Sequence, residues 1–223
     1  MNSLISKLSY LGSLAKQHNV ALFSVTETWL TEEVPDSFVS LEGYLLIRGD
    51  TGSKARKHGT CIFVKKHIKS IEVPTNIPNT CAVHLVDLEL FVLSVYRPPS
   101  NDDTENLTLL FLLEEFCINR EVLLLGDFNL PGIPWSSDTA ASMGYLHPTV
   151  KSFYDCLLQC GLTQWVREPT FRSGITLDLI FTSEDNRIGD LTILAPFPQC
   201  LHSPVMAYRE IFIARGPWVN HLV

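Results

Sequence analysis

The sequence predicts an α/β protein in which two packed mixed β-sheets are flanked by helices. Short apolar, β-prone runs outnumber helical stretches, and they come in mixed order rather than as a regular strand–helix alternation. The chain, 223 residues and 46% hydrophobic, is also long enough to bury the core that such a sandwich needs. One domain is expected over residues 1–214, with a short tail at 215–223.

Leu4, Leu8, Leu11 and Leu14 recur at helical spacing, and the apolar stretch from Val20 to Val25 then reads as a buried strand ending at Glu27. Further strands are expected around Tyr44 to Ile47, Thr60 to Val64, Ala82 to Val86 and Leu90 to Val95, the last stopped by Pro98 and Pro99. Asp102 to Cys117 reads as a helix. Val122 to Leu125 is a wholly apolar strand running into Gly126, and Val150 to Cys160 is a helix closed by Gly161. Leu177 to Phe181, Leu191 to Leu194 and Val205 to Ile213 complete the strands. Thirteen prolines and twelve glycines are spread along the chain, so no linker or low-complexity tract divides it.

Net charge is −7 and the pI near 5.4, which argues against a protein that coats nucleic acid electrostatically. It leaves room for a metal-dependent hydrolase of phosphodiesters, which concentrates carboxylates around its metal and needs only local positive charge. Lys54, Arg56 and Lys57, then Lys65, Lys66 and Lys69, offer such charge, although solvated lysines read the same way. Six cysteines include no CxxC pair, and the start lacks the order of a signal peptide, so an intracellular setting, nuclear or cytoplasmic, is expected. Cys156 and Cys160 lie one helical turn apart, a spacing open to metal ligation but more common for buried thiols. The longest apolar stretch, around Leu107 to Leu113, is too short for a membrane span, and no membrane partner is expected.

Acidic or amide residues stand at strand ends in three places: Glu27, then Asp127 with Asn129, then Asp178. A rigid scaffold delivers functional groups into a cleft at such points, while a single carboxylate there is often only a cap or turn former. In Gly126-Asp127-Phe128-Asn129 a carboxylate and a carboxamide fall two residues apart, on one side if the extended geometry persists, so that they could orient and deprotonate a water. The same residues also spell a type I turn.

Taken in order, Thr26-Glu27-Thr28-Trp29-Leu30, Tyr96-Arg97-Pro98-Pro99, Gly126-Asp127-Phe128-Asn129 and Leu177-Asp178-Leu179-Ile180-Phe181 resemble the endonuclease/exonuclease/phosphatase superfamily. Gly43-Tyr44 with Arg48 and Asp50, Leu162-Thr163-Gln164-Trp165 and Pro169-Thr170-Phe171 look like the endonuclease domains of non-LTR, LINE-type retrotransposons. The resemblance implies a deoxyribonuclease I-like four-layer sandwich and a DNA endonuclease that nicks one strand, leaving a 3′-hydroxyl and a 5′-phosphate. It implies that Glu27 binds Mg²⁺, with Mn²⁺ as a substitute, and that Tyr96 contacts the scissile phosphate. Asp127 and Asn129 would activate the water, Asp178 would hold His202, and His202 would donate to a phosphoryl oxygen. Arg97 and Lys65 would meet backbone phosphates of a DNA substrate, and the protein would act as a monomer.

The sequence departs from that pattern in several ways. The family's first strand, which ends in an asparagine, has no counterpart here, and Asn2 is not its equivalent. Leu201 stands where the family has an aspartate before the histidine, the glycine-rich stretch before the third strand is thinned to His58-Gly59-Thr60, and Arg215 to Val223 match nothing in the family. These departures resemble a shortened retroelement copy. Two alternatives to the nuclease therefore stand: a catalytically impaired remnant or binding domain of the same fold, and a phosphatase of small phosphorylated molecules.

Overall fold

The computed structural model describes residues 4–51, 58–135, 146–183, 188–197, 200–211 and 219–222. In chain order these form α1 (Leu4–Gln17), β1 (Leu22–Thr26), β2 (Tyr44–Gly49), β3 (Thr60–Lys65), β4 (Ser70–Val73), β5 (Thr80–Leu85), β6 (Leu90–Tyr96), α2 (Asp103–Cys117), β7 (Glu121–Asp127), α3 (Pro148–Gln159), β8 (Leu162–Gln164), β9 (Asp178–Ser183), β10 (Ile188–Ile193), β11 (Val205–Ile211) and β12 (Val219–Leu222). Lys54, Arg56 and Lys57 lie outside the described residues.

The apolar run of β7 explains the centre of the molecule. Side chains alternate across a strand, so Val122 and Leu124 join one buried cluster while Leu123 and Leu125 join another on the opposite face. A strand covered on both faces belongs in the middle of a sheet. Here it sits in a six-stranded sheet of order β4-β5-β6-β7-β9-β8, in which β6 and β7 are parallel and the other pairs antiparallel. The first cluster takes Leu109, Leu113 and Phe116 of α2 and Phe153, Cys156 and Leu157 of α3, so these two helices cover one face. Asp102 starts α2 with reciprocal bonds: its carboxylate accepts from the Glu105 amide at 2.8 Å, and the Glu105 carboxylate accepts from the Asp102 amide at 2.9 Å.

On the other face lie β1-β3-β2 and β10-β11-β12, with α1 outside them burying Leu4 and Leu11 against Cys61 and Phe63 of β3. Helix, sheet, sheet and helix follow one another, as the sequence leads one to expect. Among the described residues the second sheet layer is in two halves. Within the described residues β1 pairs only with β3, from Leu22↔Val64 to Thr26↔Thr60, and β11 pairs with β10 and, from Tyr208, with β12. Between the free edge of β1 and the start of β11 lies a cavity of about 900 Å³ lined by Phe23, Val25, Leu125, Ile180 and Met206.

Candidate active site

The pairing register assembles the site. Tyr96 ends β6, Asp127 ends β7 and Asp178 opens β9, and they are direct neighbours across the sheet, Tyr96↔Asp127 and Asp127↔Asp178. Residues paired in register share a face, and these continue the alternation of Leu123, Leu125 and Ile180, so all three face the second sheet layer. From that layer β1 delivers Glu27, one residue past its end, where a φ of 53° turns the backbone. The Tyr96 hydroxyl donates to Glu27 Oε1 at 3.0 Å.

His202 closes the arrangement. Its Nδ1 lies 2.8 Å from Asp178 Oδ2, its Nε2 lies 3.9 Å from Asp127 Oδ2, and its ring meets Phe171 edge-on at 4.8 Å. Five of the residues singled out in the sequence, Glu27, Tyr96, Asp127, Asp178 and His202, thus share one mouth, which opens into the cavity beside β1.

Asn129 lies beside them in a different conformation from the extended one. A φ of 45° turns the chain, and the Asn129 amide donates to Asp127 Oδ1 at 3.0 Å, so Asp-Phe-Asn forms an Asx-type turn rather than the type I turn the residues suggest. The Asn129 side-chain Nδ2 donates to the Arg97 carbonyl at 3.0 Å.

Arg97 and Lys65 are placed otherwise than as free contacts for DNA phosphates. Arg97 is 7% exposed; its Nε donates to Asn106 Oδ1 at 2.9 Å, its Nη1 donates to the Asn129 carbonyl at 3.0 Å, and its guanidinium stacks over Phe153 at 5.2 Å. A buried fork satisfied by α2, α3 and the turn after β7 holds the site's floor together. Lys65 sits at the opposite end of β3 from Thr60, which pairs with Thr26, and its Nζ donates to the Asn19 carbonyl at 3.1 Å. The whole length of β1 separates it from Glu27. Leu201, 39% exposed, lines the mouth next to His202.

The charges perturb one another. Burial foremost, then the charge of Asp178, pushes the Asp127 carboxyl up to about 8, against the opposing pull of His202 and the Asn129 amide. Burial pulls His202 down, but its bond to Asp178 and the charges of Asp178, Asp127 and Glu27 outweigh that and raise it to about 9. Burial and then the Glu27 carboxylate push Tyr96 far above the ordinary phenol range. At neutral pH the site therefore holds an imidazolium, a neutral phenol and an Asp127 carboxyl that still largely keeps its proton and gives it up near pH 8.

For a metal, the tightest donor group is Asp127, Asp178 and His202, whose ligand atoms lie within 4.8 Å of one another, rather than Glu27 alone. Carboxylate oxygens predominate at this mouth, a set suited to a hard divalent cation.

Sequence reasoning gave no role to Thr170, Asn79 and Asn106. Thr170 Oγ1 accepts from the amides of Leu177 and Asp178 at 3.1 and 3.0 Å, and its carbonyl accepts from Ser203 at 2.7 Å, so one residue fixes both partners of the His202–Asp178 pair. The Asn79 carbonyl accepts from the Tyr96 amide at 2.9 Å, and its Oδ1 accepts from Gly59 at 2.9 Å. Asn106, a carboxamide amid the leucines of α2, carries the one legible signal of the three: a polar side chain on a helix face that packs inward.

Residues 90–197 match the protein family described as Endonuclease-reverse transcriptase. Several solved structures share the fold at low sequence identity. The 3′-5′ exonuclease NExo from Neisseria meningitidis is 18% identical over 93% of this chain and 96% of its own, with a TM-score of 0.70. An AP endonuclease from Archaeoglobus fulgidus is 17% identical over 95% and 97%, with a TM-score of 0.66. The endonuclease domain of TRAS1, a telomere-specific non-LTR retrotransposon, is 16% identical over 94% and 92%, with a TM-score of 0.68. No curated protein sequence is significantly similar to the chain. Among the described residues no helix is long and apolar enough to cross a membrane.

Proposed function

We propose that this chain, whose residues 90–197 match the family described as Endonuclease-reverse transcriptase, is a member of the endonuclease/exonuclease/phosphatase superfamily and a Mg²⁺-dependent phosphodiesterase that nicks one strand of DNA, leaving a 3′-hydroxyl and a 5′-phosphate. The observation that carries the proposal is the lateral row Tyr96, Asp127, Asp178 with Glu27 and His202 on either side of it. Asp127, released from its proton near pH 8, accepts one from the attacking water, and the turn that bonds its Oδ1 to the Asn129 amide fixes its orientation. His202, held at Nδ1 by Asp178, presents Nε2–H to a phosphoryl oxygen as negative charge develops there. The Tyr96 hydroxyl, a neutral donor, orders the Glu27 carboxylate at the mouth where the scissile phosphate would bind. When bound by Glu27 and its neighbours, Mg²⁺ supplies Lewis-acid stabilisation of that charge. The six free cysteines suit an intracellular setting, nuclear or cytoplasmic, in which the protein acts as a monomer.

The decisive assay is conversion of supercoiled plasmid to nicked circle. Cutting in Mg²⁺ that EDTA abolishes, with ends that a polymerase can extend, supports the reading; release of phosphate from inositol phosphates without nicking would replace it with a phosphatase. A second reading, a non-catalytic binding domain, is favoured by the divided sheet and by Leu201 at the mouth. It requires that the parent protein be no more active than Asp127→Ala.

A further inference from the structure

Between the two sheet layers the facing side chains change character from one end to the other. Alternation puts Ser24 of β1, Thr60 of β3 and Ser94 of β6 on the same inward faces as Leu22, Val64 and Val92, which pack in the apolar cluster away from the mouth. Ser94 stands two residues before Tyr96, and Thr60 pairs with Thr26, the residue before Glu27. The three hydroxyls thus form a layer between the apolar end and the mouth. Thr60 and Ser94 are fully buried. Thr60 Oγ1 donates to the Val25 carbonyl at 3.1 Å, and Ser94 Oγ lies 2.5 Å from Thr60 Oγ1 and 2.5 Å from Ser24 Oγ. A hydroxyl has one hydrogen, so the bond to Val25 fixes the direction of the rest: Ser24 donates to Ser94, Ser94 to Thr60, and Thr60 to the backbone of β1.

We propose that Ser24, Thr60 and Ser94 are positioning residues: their hydroxyl chain holds the end of β1 against β6 and so keeps Glu27 in place for Tyr96 and for a divalent cation, a role that rests on Glu27 being a metal ligand. Apolar contacts are non-directional and let facing sheets slide, whereas hydrogen bonds between buried hydroxyls fix one separation and one offset. β1 needs such a fix, because among the described residues β3 is its only strand partner. The chain meets β1 at Ser24 and Val25, just before Glu27. It meets β6 at Ser94, two residues before the tyrosine whose hydroxyl donates to Glu27 Oε1 at 3.0 Å. The hydroxyl chain and the Tyr96–Glu27 bond therefore join the same two strands, and a shift of one moves the other.

Thr60→Val separates the hydroxyl from its shape. It keeps a branched, buried side chain but removes the acceptor of Ser94 and the donor to Val25, whereas Thr60→Ser keeps both. Loss of a group that orients a metal-binding side chain weakens metal affinity by about 10- to 100-fold, so Thr60→Val is expected to bind Mn²⁺ more weakly by that factor and Thr60→Ser to bind it as the parent does.

Two readouts on the whole chain test the role without turnover: Mn²⁺ binding followed by electron paramagnetic resonance, and the Tyr96 ring carbon that bears the hydroxyl, followed by NMR in metal-free protein carrying isotope-labelled tyrosine. The expected result is weaker Mn²⁺ binding and a shifted Tyr96 resonance in Thr60→Val and in Ser94→Ala, with parent-like behaviour in Thr60→Ser. In plasmid nicking the half-saturating Mg²⁺ concentration rises in Thr60→Val while the rate at saturating Mg²⁺ stays close to that of the parent. Near-UV dichroism checks folding; should Thr60→Val not fold, Ser24→Ala, which removes only the half-buried first donor, carries the same test. Parent-like Mn²⁺ affinity with an unmoved Tyr96 resonance in Thr60→Val, a Thr60→Ser as impaired as Thr60→Val, or a parent that binds no Mn²⁺ would each overturn the proposal. A parent that fails to nick DNA while both readouts follow the hydroxyls would overturn the nuclease reading and leave the positioning role standing.

Discussion

Asp127 is 1% exposed and shares its surroundings with Asp178, so its charged form is costly until something at the mouth offsets it. Asp127→Ala is expected to lower plasmid nicking by about 10³-fold while leaving the melting temperature of metal-free protein equal or higher, because a buried acid beside another acid is lost. A nicking rate within tenfold of the parent would remove Asp127 from the mechanism. His202 titrates at about 9 because Asp178 holds it, so Asp178→Asn should bring its midpoint back toward 6.5 in an NMR titration of the metal-free protein. A raised imidazole pKa stabilises the fold fully below about 6.5 and loses that contribution as pH rises through about 9. A raised carboxyl pKa acts in the same direction, since folded Asp127 keeps its proton up to about 8 while the unfolded chain has released it. Thermal melts in EDTA should therefore fall between pH 6.5 and 9, and fall less in Asp178→Asn.

At the scale of single elements, Gly126 shows how tightly the parallel pair is built. Its φ of 136° and a Cβ that would stand 1.9 Å from the Val95 carbonyl oxygen exclude any side chain where β6 meets β7. Gly126→Ala should cost about 3 kcal/mol, read from the urea midpoint, and displace the neighbouring Asp127; an unchanged midpoint would mean that the strands are not so close. β6, β7, β9, α2 and α3 were legible because periodicity, a capping acid and terminal prolines or glycines all mark them. β4, β8 and β12 were not: they are short, and Ser70–Val73, Leu162–Gln164 and Val219–Leu222 gain their order from partner strands rather than from their own composition. Val219–Leu222 lies within the stretch read as a tail. The same division runs through the site. Glu27, Asp127 and Asp178 stand at strand ends and could be named from the residues, whereas Tyr96 and His202 were named only through the family resemblance; Arg97 is buried in a hydrogen-bonded network and Lys65 lies at the far end of β3. Left-handed backbone at Glu27 and Trp29 leaves no trace in residue type, whereas asparagine at 129 favours it.

At the scale of the molecule, the divided second layer is the dominant feature. A lined, largely apolar cavity of about 900 Å³ inside an otherwise close-packed protein should take up a hydrophobic dye. Native protein is expected to enhance ANS fluorescence while keeping sharp near-UV dichroism, which separates a preformed cavity from a molten state. Dye binding without fixed aromatic dichroism would mean that the packing around β1 is not native-like.

The free edge of β1 also decides the order in which the protein comes apart. Among the described residues only β3 pairs with the strand that carries Glu27 at its end, and its other edge is unpaired. In deuterated water the amides of β7 should stay protonated longest, and those of β1 should exchange among the first of the strand amides. Because Glu27 hangs on the end of that weakly guarded strand, gentle heating should disable the reaction while most of the molecule still holds its shape.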